Sequence, residues 1–257
     1  MRPLESLYEQ TRGRIVEVIT GANRDVEDAG STKVPACPSW SVHDVIAHVT
    51  GNCADVLAGN VAGAGTDEWT AAQVESRRDR SLAEILAEWD SLGPQMAALV
   101  DDFPGRYGVQ VNGDLAIHEQ DIRGALGEPG ARDSDAVALS IEFVVSTFMQ
   151  PGAAALGLAP LEVGVGDRRW LIGSDGPATG DPEEAVAATI LSGEAPPAPT
   201  APAAGALEAE PFDLFRALTG RRSTTQIRGF DWTVDPEPYL PLFALGPFSV
   251  RPTDLLE

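Results

Sequence analysis

A chain of 257 residues with 43% hydrophobic content can bury the core of one large domain or of two modest ones. Its 18 basic and 39 acidic side chains leave a formal charge of −21, which opposes attraction to phosphate backbones and to anionic membrane surfaces. Neither nucleic acid nor membrane is an expected partner. The start, Met1-Arg-Pro-Leu-Glu-Ser-Leu-Tyr, turns amphipathic at once, so no signal peptide is expected and the chain is read as cytoplasmic. No run approaches the roughly 18 apolar residues of a membrane span. Cys37 and Cys53 are too few for a disulfide framework and form no C-x-x-C pair, so both are read as reduced packing residues. For Cys53, near His48, the other reading is a place in a pocket.

Leu4 to about Ala22 carries Leu4, Leu7, Tyr8, Ile15, Val16, Val18 and Ile19, mostly at helical spacing, and predicts the first helix. Two prolines, Pro35 and Pro38, precede Ser41, an N-cap with Asp44 three residues on, so a second helix starts near Val42 and runs to about Val61. A polar connection follows from Gly63 to Asp79. Ser81-Leu-Ala-Glu84 is another capping box, leading into a third helix through Ile85, Leu86, Trp89, Leu92, Met96 and Leu99. Pro104-Gly105 breaks the pattern; a fourth helix covers about Gly113 to Leu126 and a fifth about Asp133 to Gln150.

The pattern then changes. Leu161 to Gly173 shows short apolar stretches around Gly166-Asp167, the turn signal of a hairpin. Residues Gly193 to Ala206 are rich in Pro and Ala and read as a mobile loop. Pro211 to Gly220 places Pro at a helix start and Gly at its end, while Ser223 to Trp232 reads as extended and Pro236 to Glu257 as an irregular tail. The expected fold is α plus α+β: a helical bundle at residues 1–157 and a small α+β domain at 158–257.

Three histidines are available. Asp114 and His118 stand at i and i+4, so a carboxylate and an imidazole on one helix face can share a cation. His48, on another predicted helix, supplies a third ligand. Three protein ligands leave a zinc-sized ion with an open position, the arrangement of catalytic rather than structural sites. Taken alone, His48 on its apolar helix reads as a hydrogen-bonded core residue. A carboxylate inside a bundle, however, is costly unless a cation or donor satisfies it. Glu119 and Asp121 are alternative ligands. Asp121, offset from His118 by roughly 60° around a helix, better suits accepting an imidazole N–H or pairing with Arg123. His43 reads as an exposed first-turn residue and Trp40 as a packing residue ahead of its helix. Arg221 and Arg222 either favour the negative end of the preceding helix or supply a guanidinium to a carboxylate-bearing ligand. No G-x-S-x-G elbow, P-loop or dinucleotide fingerprint occurs.

Three segments, Val34-Pro-Ala-Cys-Pro-Ser-Trp-Ser-Val-His-Asp-Val-Ile-Ala-His48, Asp114-Leu-Ala-Ile-His-Glu-Gln-Asp-Ile-Arg-Gly-Ala-Leu126 and Pro211-Phe-Asp-Leu-Phe-Arg-Ala-Leu-Thr-Gly-Arg-Arg-Ser223, resemble the mycothiol-dependent maleylpyruvate isomerase family. The likeness covers nearly the whole chain. It implies a DinB-like four-helix bundle holding a divalent ion, usually zinc, on His48, Asp114 and His118, and a sterol-carrier-like α+β domain that helps to close the site. It further implies mycothiol as a cofactor, Arg222 in the thiol pocket, and a small-molecule electrophile as substrate of an isomerase or thiol S-transferase. No catalytic residue beyond the metal centre is implied. Where the family pattern has a glutamate this chain has Asp114, one methylene shorter. The readings from other classes are a non-catalytic binding protein and a metal-dependent hydrolase with Glu119 or Asp121 as base.

Overall fold

The computed structural model describes residues 4–22 and 24–257. Residues 1–3, on which the absence of a leader was partly read, lie outside the described residues. Among those described are eleven α-helices and a four-stranded sheet, so the chain is a helical region followed by a small mixed sheet with helices, an α plus β protein. The chain divides into two compact units, one of residues 1–103, 114–131 and 257, the other of residues 104–113 and 132–256.

In the first unit α1 (Leu4–Ile19), α3 (Val42–Leu57) and α5 (Leu82–Leu99) pack together, with the short α2 (Val26–Ser31) against α3 and α5. The expected capping boxes are present. Ser41 accepts from the Asp44 amide while Asp44 reaches back to Ser41, and Ser81 and Glu84 do the same. Each satisfies two of the amides left unbonded at a helix start, which fixes where α3 and α5 begin. Their apolar faces bury Ile15, Ile19, Val45, Ile46, Leu82, Ile85, Trp89 and Met96. At about 1.5 to 3 kcal/mol for each large aliphatic side chain, this face rather than helix propensity holds these helices together.

Two helices interrupt stretches that the sequence pattern leaves without structure. Helix α2 has six residues, too few for periodicity, but Asp25 caps it by accepting from the Glu27 and Asp28 amides. The presumed polar connection contains α4 (Asp67–Glu75), capped by Thr66 and started by Asp67 and Glu68. Helix α6 (Tyr107–Leu126) begins six residues before the expected Gly113, and its portion from Asp114 belongs to the first unit.

In the second unit, α7 (Asp135–Val144), a π-helical turn at Val145–Met149 and α8 (Gln150–Ala155) form one rod, longer than the fifth helix expected. This stretch is long and apolar enough to cross a membrane by length and composition, contrary to the expectation that no run comes near; 83% of its window is buried within the fold. The hairpin is present, β1 (Leu161–Val165) pairing antiparallel with β2 (Arg168–Ile172) around Gly166, which has φ 55°. Helix α9 (Pro182–Ser192), capped by Asp181 and not foreseen, lies between β1 and β3 (Gly205–Glu208), and these two strands pair in parallel. That crossover is what a parallel pair requires.

Helix α10 (Pro211–Leu218) has the expected Pro start, and Gly220 takes φ 75° after it. The extended reading of Ser223 to Trp232 is corrected: Thr224–Arg228 is α11, and only Asp231–Trp232 forms a strand, β4. Two consecutive threonines favour a strand, but Ser223 and Gln226 make a reciprocal capping box that overrides them. The sheet order is β2-β1-β3-β4. The final segment contains a 3₁₀ stretch, Glu237–Phe243, and is otherwise irregular.

Candidate metal centre

His48 projects from the buried face of α3, seven residues after the cap at Ser41, while Asp114 and His118 lie one turn apart on α6. Oδ2 of Asp114 is 3.4 Å from Nε2 of His48, and Oδ1 is 3.5 Å from Nε2 of His118. The imidazoles are buried and meet edge to face with centroids 5.1 Å apart, whereas the Asp114 side chain is one-third exposed. The three residues singled out from the sequence therefore come together, each offering one atom within 4.8 Å of the others.

The outer nitrogens define the chemistry of the inner ones. Nδ1 of His118 is 3.1 Å from Oδ2 of Asp121, and Nδ1 of His48 is 2.8 Å from Oε1 of Gln73. A carboxylate and an amide carbonyl can only accept, so in the neutral imidazoles each Nδ1 carries the hydrogen and each Nε2 keeps its lone pair. Two lone pairs and a carboxylate consequently converge on one space. Such a set is self-repelling until a cation or a proton enters. Bonds of about 2.05 Å at tetrahedral angles give ligand separations of about 3.3 Å, so the donor set fits a zinc-sized ion. Burial lowers the tendency of His48 to protonate, but the hydrogen bond and charge of Asp114, with Gln73, outweigh it and the net shift is upward.

Asp121 takes the role expected of it toward an imidazole, while Arg123 donates to Glu119 instead. Glu119 is buried and also receives two hydrogen bonds from Arg14, at 2.8 and 2.7 Å. It faces guanidinium groups. His43 is not exposed as expected but half-buried, with Nε2 2.8 Å from the Arg80 carbonyl oxygen.

The loop before α3 contributes more than packing. Lys33 and Ser41 pair as a bridge, and Val34 and Trp40 hydrogen-bond across the turn, which sets Trp40 against both imidazoles at centroid distances of 5.4 and 5.9 Å. Cys37, in the same loop, has Sγ 3.4 Å from Oδ2 of Asp121 and forms a second donor group with Asp121 and His118. Cys53 lies in the helical core instead, its Sγ 2.7 Å from the Tyr8 hydroxyl, and burial pushes its thiol up to about 11. Gln73 was missed because α4 was missed. The readable signal was Thr66 followed by two acidic residues and a run of helix formers.

Arg222, in the second unit, is buried, donates from Nε and Nη2 to Oδ1 of Asp213 and lies 6.0 Å from the Phe212 ring. Arg221 donates to the Thr219 carbonyl just beyond α10, as a cation at a helix C-terminus does.

Two helices presenting a His, a second His and a carboxylate, with an acceptor behind each imidazole, define the class: a helical protein with a three-donor centre on facing helices. Residues 15–123, which contain all three donors, match the sequence model described as the mycothiol maleylpyruvate isomerase N-terminal domain. Over that span, 109 of the 257 residues, the chain is similar to that family's N-terminal domain. No curated protein and no solved structure gave a match.

Proposed function

We propose that the protein is a metal- and mycothiol-dependent isomerase or thiol S-transferase acting on an electrophilic small molecule in the cytoplasm. His48, Asp114 and His118 are the ligands of a divalent ion, zinc by preference, in a DinB-like four-helix bundle at residues 1–157, followed by an α+β domain at 158–257. The observation that carries the reading is the convergence of two Nε2 lone pairs and one carboxylate, each imidazole backed by an acceptor on Nδ1. The family match, through its name, supports mycothiol as the thiol.

When bound, the ion supplies positive charge at an open position, favouring the thiolate form of a thiol. The chain's own residues do the rest. Asp121 and Gln73 hold the two imidazoles in orientation, Trp40 closes one side of the pair, and Arg222 is assigned to the thiol pocket by family resemblance. The thiol sulfur adds to an electrophilic carbon; where that carbon belongs to a double bond, rotation and elimination give an isomer and return the thiol. In a transferase the adduct is released. A hydrolase needs a free base, and its candidates are otherwise engaged: Glu119 with Arg14 and Arg123, Asp121 with His118.

Metal analysis of the purified protein, followed by turnover assays with mycothiol and a panel of electrophiles that includes maleylpyruvate, tests the reading. Stoichiometric metal and thiol-dependent turnover, both lost in His48→Ala, are expected. A protein without metal, whose activity survives that substitution, overturns it; metal without turnover leaves a binding protein.

A further inference from the structure

The structure assigns Gln73 as a positioning residue that holds His48 in the tautomer able to ligate, through a relay that ends on Asp55. We propose this on the metal-centre reading above. Gln73 is only 2% exposed and stands on α4 two residues before its end. Its Nε2 donates to Oδ2 of Asp55 at 2.8 Å, and its Oε1 lies 2.8 Å from Nδ1 of His48. Asp55 accepts a second hydrogen bond, from Nδ2 of Asn60. An ionised carboxylate only accepts, so the amide nitrogen of Gln73 must face Asp55 and its carbonyl must face His48. The direction of the whole relay follows: Nδ1 of His48 donates, and Nε2 is left with its lone pair toward Asp114.

The surroundings are built for this contact. Gly51, one turn after His48 on α3, has no side chain, and a Cβ there would meet Cβ of Gln73 at 2.5 Å. Only a glycine lets α4 come this near. Arg77 donates to the Gln73 carbonyl oxygen and makes a two-point pair with Glu88 of α5, at 3.1 and 2.6 Å, which anchors the end of α4. A hydrogen bond behind a ligating imidazole commonly governs metal affinity by about 10- to 100-fold.

The test compares wild type, Gln73→Ala, Gln73→Glu and the double variant Asp55→Asn/Gln73→Glu, with circular dichroism to check folding. Zinc affinity is read by competition with a chromophoric chelator, and the His48 tautomer by nitrogen NMR of the metal-free protein at pH 8. Gln73→Ala is expected to bind zinc about 10- to 100-fold more weakly. Gln73→Glu alone sets two carboxylates against each other. Adding Asp55→Asn reverses the relay's last hydrogen bond and returns affinity to within a few-fold of wild type, a rescue that a merely structural role does not produce. Wild-type affinity in a folded Gln73→Ala protein, or an Nε2–H tautomer of His48 in wild type, overturns the assignment even should the alanine variant fail to fold. Wild type that binds no zinc yet keeps the Nδ1–H tautomer sinks the metal-centre reading and leaves Gln73 as the residue that sets it.

Discussion

Oδ2 of Asp121 accepts from Nδ1 of His118 across 3.1 Å, on the same helix and three residues further on, with the Asp121 side chain fully buried. The pair fixes the ring's orientation and tautomer, with Nδ1 carrying the hydrogen and the Nε2 lone pair facing Asp114. Asp121→Ala is therefore expected to weaken zinc binding by about 10- to 100-fold while the helix content is kept. Chelator competition reads it, and unchanged affinity refutes the role.

The shorter carboxylate at position 114 makes a separate prediction. Both oxygens of Asp114 already stand near an Nε2, at 3.4 and 3.5 Å, so an aspartate suffices from this backbone. Asp114→Ala removes one of three donors and is expected to abolish stoichiometric zinc, whereas Asp114→Glu, the residue of the family pattern, keeps it with affinity within about tenfold. Should the alanine variant retain full zinc occupancy, the ion sits elsewhere, and the Cys37, His118 and Asp121 group becomes the place to look.

These donors were legible because chemistry and helix period coincide. An i,i+4 pair needs only a helix, and His48 needed only the capping box at Ser41 to set its phase. The supporting residues were not legible in the same way. Trp40 and Cys37 reach the site through a non-helical turn between Lys33 and Ser41, whose path no periodicity encodes. Gln73 reaches it from a nine-residue helix with almost no apolar face, where caps rather than pattern mark the element. In the second half the same limit applied to α11, whose threonines suggested a strand until the Ser223 and Gln226 cap is counted. Local hydrogen bonding outweighed propensity there.

Glu88 sets an acid limit on stability. Burial pushes its carboxyl up, but hydrogen bonds and charge from Arg77 and Arg80 outweigh that and hold it below the usual glutamate range. A group depressed on folding contributes stability above its unfolded pKa and loses it as pH falls through the folded one. Denaturant titrations from pH 7 to pH 3 should thus show wild type losing stability below about pH 4.5 more steeply than Glu88→Gln, which is already weaker at pH 7. Parallel curves for the two proteins rule this out. Because Arg77 also holds the end of α4, the variant is expected to bind zinc more weakly at pH 7 as well.

The two thiols should differ in reactivity. Cys53 is 1% exposed between Tyr8 and Trp89, and with its thiol pushed up to about 11 by burial it stays protonated at pH 8. Alkylation proceeds through the thiolate, so both access and ionisation slow the reaction at Cys53. Cys37 is half-buried, in the loop ahead of α3. Under native conditions at pH 8, iodoacetamide should modify Cys37 first and Cys53 only at the rate of local opening, with both modified at once in denaturant. Peptide mass mapping against time separates the two sites. Because Sγ of Cys37 donates to the carboxylate that steadies His118, its alkylation should also lower zinc affinity, whereas a Cys37→Ser protein keeps a donor there and resists the effect. Equal labelling rates at the two cysteines would contradict the buried Tyr8–Cys53 pair, and labelled Cys37 with undiminished zinc binding would detach this loop from the site.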